Sequence, residues 1–186
     1  MEPTTYPHQI EDGAGTITTF TGVKSDERGD VLGVDGVVPE RDQGPPLHVH
    51  HLQHETVTVE QGSIGWQEAD GPEHHAGVGE TVTFSPGVAH RFWNAGDEPL
   101  RLTGEVWPPD NLEYFLTGIY ESTERDGGSR PGLFDAAFLS TRYRAEFEML
   151  EIPAPVRKVL MPVLYQVGKL LGKHERFADA PEPVRA

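Results

Sequence analysis

The sequence predicts a mainly β chain, a barrel or jelly roll of short strands followed by a C-terminal helical extension. Three observations lead there. Between residues 16 and 107, apolar and polar side chains alternate in short runs, the mark of strands with one buried face. Glycine and proline punctuate these runs at regular intervals, as in sandwiches and barrels. After Trp107-Pro108-Pro109 the apolar period lengthens to that of helices.

Residues 1–14, with prolines at positions 3 and 7, read as a flexible lead-in. Strands are predicted over 16–24 and 30–38, joined by a polar turn at 25–29, and then over 54–61, 64–68, 80–84, 89–94 and 99–107. In the last of these Leu100, Leu102 and Val106 alternate with Arg101, Thr103 and Glu105. These strands make residues 15–109 one barrel. Asp110-Asn-Leu-Glu113 reads as a capping box, the acid at each end satisfying amides of the first turn. Helices follow over 112–124, 133–150 and 155–171, with Phe134, Phe138 and Phe147 on the second. Pro162 should kink the third and Gly172 should cap it. Residues 110–176 form an extension that needs the barrel to bury its apolar faces, and 177–186 a disordered tail. No internal repeat interrupts this single unit.

The chemistry concentrates in two blocks. In Gly44-Pro-Pro-Leu-His48-Val-His50-His-Leu-Gln-His54-Glu55, a strand turns His48 and His50 to one face. Glu55 lies at an odd offset from both, so the chain must bend at 51–53 before the next strand. There Glu55 shares a face with Val57 and Val59, the inward one, where a carboxylate is costly unless a cation compensates it. The second block, Gly79 to Asn94, reads as strand, Pro86-Gly87 turn and strand, and brings His90 out beside Phe92. His48, His50, Glu55 and His90 suit one divalent transition metal (Mn, Fe, Co, Ni, Cu or Zn); Mg and Ca prefer oxygen shells.

These blocks resemble the paired motifs of the cupins, small β-barrels that include germins, many dioxygenases and sugar isomerases. His48, His50, Glu55 and Gly62 fit the first motif, with Gly44 closer to His48 than is usual. Gly79, Gly87, His90 and Asn94 fit the second, with Ser85 in the proline place and Pro86 one position later. The resemblance is strict over the middle third of the chain and looser to Trp107. It implies a cupin-type β-barrel (jelly roll), a metal on the four ligands, and a homodimer. The last also fits an outer sheet face carrying Arg91 and Trp93.

A net charge of -15 argues against nucleic acid and anionic membranes as partners. Cysteine is absent, so disulfide and thiol chemistry are excluded. The N-terminus lacks a signal-peptide layout and no apolar run reaches spanning length, which sets the expectation of a soluble, cytoplasmic protein. The stripe on the third helix is expected to dock on the barrel or a partner subunit and not on a membrane.

Other residues carry blander readings. His51 and His54 face outward, His74 and His75 sit in a solvated hairpin loop, and Asn94 stabilises a turn. Gln53 lies in the bend within reach of a ligand. Phe92 and Leu47 wall the pocket or fill the core, and Tyr114, Phe115 and Tyr120 pack helix on barrel.

The pattern specifies a site more closely than a reaction. The first expectation is a metal-dependent oxidoreductase, a dioxygenase similar to the quercetinase-like monocupins, acting on a small chelating enol or catechol. His48, His50 and His90 would hold the metal, and Glu55 would be both ligand and general base. A Lewis-acid isomerase or lyase on a sugar or keto acid, and a non-catalytic small-molecule-binding cupin, are the alternatives.

Overall fold

The structure, a computed structural model, describes residues 5–127 and 130–184. The ends of the expected lead-in and tail, and the centre of the 125–131 loop, lie outside the described residues.

Strands are numbered in chain order and pair antiparallel into two sheets. The first contains, side by side, β1 (His8–Glu11), β2 (Ile17–Asp26), β3 (Gly29–Val38), β10 (Leu100–Trp107), β5 (His54–Gln61) and β8 (Thr81–Phe84). The second contains β11 (Phe147–Met149), β4 (His48–His50), β9 (Ala89–Asn94), β6 (Ile64–Glu68) and β7 (Glu73–Ala76). This is a jelly roll, and the alternation read from the sequence assigns its inner face. Val38, Val57, Val59, Val82, Phe84, Leu100 and Leu102 meet Ile64 and Ala76 in one buried cluster. Each valine, leucine, isoleucine and phenylalanine of it contributes roughly 1.5–3 kcal/mol on leaving water.

A second cluster joins the first sheet to the extension. Ile10, Phe20, Leu32 and Val106 pack with Leu112 and Phe115 of α1 (Leu112–Arg125), and with Phe138 and Leu139 of α2 (Leu133–Arg142). Tyr143, Phe147 and Phe177 complete it. The third helix, α3 (Met161–Leu170), follows a wider π-type turn over Val156–Leu160. That turn lies just before Pro162, which has no N–H to donate and where a kink was expected. Gly172 ends the helix at φ +66°, as a cap should. No described helix is long and apolar enough to cross a membrane.

The structure departs from the sequence reading in five places. β1 lies inside the expected lead-in: pairing with β2 buries Ile10, the one apolar side chain of a polar run. The capping box does not form. Asp110 sits at φ +42° and accepts from Gln53 Nε2 at 2.5 Å, while Glu113 accepts from Tyr6 Oη (2.8 Å) and pairs with His8 (2.7 Å). Tertiary partners outcompete the local amides. The helix predicted over 133–150 stops at Arg142, and Phe147 is on a strand. The turn between them is pinned by Glu146, whose buried carboxylate accepts from Asn111 N (3.1 Å), Asn111 Nδ2 (2.9 Å) and Val184 N (3.0 Å). His74 and His75 are on β7, not in a loop, and His74 stacks on Trp66. Finally, the described tail is docked: Phe177 stacks on Phe138, and the Pro181 carbonyl accepts from Tyr143 Oη and Arg142.

Candidate metal centre

β4 turns the rings of His48 and His50 to the same side, and β9 lies against it with His90 in register with His48. His90 follows the turn at Ser85–Val88, closed by the Val88 N to Ser85 O bond (3.1 Å) with Gly87 at φ +78°. The displaced proline of the second motif therefore leaves the turn intact. After His50 the chain bends as its odd spacing to Glu55 demands. Gly87 N donates to His50 O (2.7 Å) and His51 N to Glu146 O (2.8 Å), while the Gln53 side chain is fully buried on Asp110. Clamped there, β5 restarts in the opposite sheet with Glu55 beside Phe84 and Val106.

Three imidazoles from one sheet thus face one carboxylate from the other. Their ligand-capable atoms all lie within 4.8 Å of one another. Glu55 Oε2 is 3.1 Å from His90 Nε2 and 3.4 Å from His50 Nε2. Phe84 stacks on the His90 ring at 3.8 Å, and Phe147 meets the His50 ring edge-on at 5.5 Å.

The hydrogen bonds orient the rings toward a cation. His48 Nδ1 lies 2.8 Å from the Pro46 carbonyl, so its proton belongs there and the Nε2 lone pair is free. His90 Nδ1 likewise donates to the Val88 carbonyl at 2.9 Å. Its Nε2 then faces a carboxylate oxygen, and a neutral imidazole has no second proton to offer. A metal ion held by these four residues would remove the conflict. Backbone carbonyls on the far nitrogens are the usual outer partners of metal-binding histidines.

The electrostatics agree. Burial, reinforced by the neighbouring His50 and His90, depresses His48 to about 3, so it is neutral at pH 7. Burial also lowers His50, against the pull of Glu55. For Glu55, burial pushes the carboxyl up. Contact with His90, His50 and His48 outweighs that and holds it low, at about 2. Neutral imidazoles and an ionised carboxylate are the forms that bind a divalent transition metal.

The remaining candidates fall outside this cluster. His51 lies 3.7 Å from Glu148, and His54 stacks on Trp107. Asn94 ties a turn, its Nδ2 donating to the carbonyls of Val38, Pro39 and Glu98. Phe92 packs on the barrel core, and the Leu47 carbonyl accepts from Leu150 N. Tyr114, Phe115 and Tyr120 pack helix on barrel. Arg91 stacks over Trp93 and donates to Gln67. The sequence reading missed Phe84 and Phe147 as walls against the ligand rings. Phe84 was legible, sharing the Val82 face. Phe147 was not, because Phe147-Glu-Met149 is too short for a period-two signal.

Residues 35–107 match the family model of the cupin domain. A Hypocrea virens protein described as "Probable oxidoreductase virH" is 36% identical over 73 residues, which cover 38% of this chain and 33% of that one. The chain therefore spans about a third of the length of this curated relative. Among solved structures, a Klebsiella pneumoniae protein with a double-stranded β-helix domain is 22% identical, covering 57% of this chain and 82% of its own (TM-score 0.43). The Schizosaccharomyces pombe Cnp3 cupin domain is 15% identical, covering 65% and 75% (TM-score 0.43). A Silicibacter pomeroyi sugar phosphate isomerase is 19% identical, covering 51% and 60% (TM-score 0.41). Paired motifs, inner strands and family match coincide on the same residues, so that residues 35–107 are similar to a cupin domain.

Proposed function

We propose that this protein is a metal-dependent oxidoreductase of the dioxygenase class, acting on a small enol- or catechol-type substrate. The observation that carries the reading is the meeting of His48, His50, His90 and Glu55 between the sheets, with Phe84 and Phe147 against two of the rings. The oxidoreductase description of the Hypocrea virens relative supports it.

His48, His50, His90 and Glu55 would hold one divalent transition metal, which when bound supplies Lewis acidity and, if redox-active, electron exchange with oxygen. The histidines bind as neutral rings whose orientation is set by the Pro46 and Val88 carbonyls. Phe84 and Phe147 keep water off the rings they cover. Glu55, ionised at neutral pH, accepts a proton at a carboxylate oxygen. A carboxylate is a weak base and accepts a proton more readily from an enol or catechol than from an aliphatic alcohol.

The test is oxygen uptake by protein reconstituted with each candidate metal, using flavonols, catechols and 1,3-diketones. Uptake with at least one pair, abolished in Glu55→Gln, is the expected result. No uptake across the whole set overturns the reading, and equal turnover with oxygen excluded points to the isomerase or lyase class.

A further inference from the structure

We infer that the outer face of α3 and the turn before it is a dimer interface, covered by a second copy of this chain. Of the two places expected for the stripe, the barrel and a partner subunit, the barrel does not receive it. Val159, Leu160, Val163, Val167, Leu170 and Leu171 are all exposed, Leu170 at 86%. The other exposed large apolar side chains among the described residues, Val23, Val78 and Leu133, lie apart on other elements.

The face is built and held outward. At ~100° per residue, Val163, Val167, Leu170 and Leu171 fall within an arc of about 100°. The opposite side carries the residues that anchor the helix: Met161 and Gly168 are buried, and Tyr165 lies against Phe138 with ring centroids 5.8 Å apart. The His174 and Phe134 rings occupy the space a side chain at Gly168 would need. The helix cannot roll its apolar arc inward without losing this packing.

Charge and area select the occupant. Residues 152–174 contain Arg157, Lys158, Lys169 and Lys173 and no acidic residue, in a chain of net charge -15. Arg157 is consumed within the molecule, paired with Glu148 at 2.6 Å and donating to the carbonyls of Met149, Leu150 and Ile152. Lys169 points about 150° away from the centre of the apolar arc, where a membrane-surface helix would set its cations along the edges. No carboxylate of the segment and no lysine of the helix therefore stands in the way of a second α3.

Leu160, Val163, Val167 and Leu170 follow the three-four-three spacing of a helix-pairing seam, and a two-fold axis makes such a face complementary to itself. The six exposed side chains offer roughly 600 Å² per copy, so a pair buries at most about 1,200 Å² through them, the lower edge of a stable interface. The barrel exposes no comparable apolar patch to receive the stripe instead.

Light scattering coupled to size-exclusion chromatography of the full chain, over a wide concentration range, tests this. The wild type is expected as a dimer. Val163→Glu with Leu170→Glu should be monomeric with an unchanged circular dichroism spectrum, and Val78→Glu, on the barrel, should remain dimeric. Should the double variant misfold, Leu170→Gln alone replaces it. That side chain touches little of its own monomer, and its loss should weaken the dimer about tenfold. A monomeric wild type, a dimer that survives the substitutions, or a wild-type monomer that floats with phosphatidylglycerol vesicles overturns the proposal.

Discussion

Replacing Glu55 by glutamine is the sharpest probe of the centre, because it keeps the shape and removes the charge. The carboxylate oxygen lies 3.1 Å from His90 Nε2 and 3.4 Å from His50 Nε2, inside the barrel. The glutamine amide can donate its N–H to the Nε2 lone pair of His90, so metal-free stability should move by no more than about 1–2 kcal/mol. Metal binding loses its only anionic protein ligand. Removing one partner of a buried ion pair costs about 3–5 kcal/mol, which corresponds to two to three and a half orders of magnitude in affinity. Competition with a chromophoric chelator measures the affinity, and thermal unfolding of the stripped protein measures stability. Affinity within about threefold of wild type would refute the assignment of Glu55. An affinity loss matched by an equal loss of metal-free stability would mean that Glu55 only supports the fold.

Stability of the metal-free protein should fall on acidification. His48 is depressed from 6.5 to about 3, so the unfolded chain binds the extra proton, and stability present above pH 6.5 drains away as pH falls toward 3. The slope from this residue is at most about 1.4 kcal/mol per pH unit. Glu55, lowered from 4.5 to about 2, adds loss of the same sign below pH 4.5. Urea titrations at pH 7 and 5 check it, and equal stability at the two would contradict it. Phe147→Ala removes a ring packed on His50 and Phe115 and should cost about 3–5 kcal/mol in urea unfolding, with weaker metal retention by chelator competition. Gly44→Ala should destabilise the barrel, since Gly44 sits at φ +61° and a Cβ there would overlap the Phe92 carbonyl oxygen; thermal unfolding measures it. His74→Ala, on exposed β7, should leave metal content by elemental analysis unchanged.

The four clustered residues were legible because each rests on a local rule. His48 and His50 share a face by strand alternation, the odd offset of Glu55 demands a bend, and Pro86-Gly87 turns the chain ahead of His90. The residues that hold them were less so. Gln53 reads as a bend residue with no partner in sequence, yet its partner Asp110 lies 57 residues away. Phe147 reads as a helix residue because nothing between Leu133 and Leu150 announces the turn that Glu146 pins from Asn111 and Val184.

By itself the sequence determined the alternating strands, the inward acid and the histidines that face it, since periodicity and the cost of a buried charge operate over a few residues. Only the tertiary structure decided that β11 lines the histidine strand, that Asp110 and Glu113 abandon their cap, and that α3 turns its apolar stripe away from its own barrel. Those outcomes turn on distant partners competing for the same polar groups and on which helix face finds α2 first, and no local pattern records that competition.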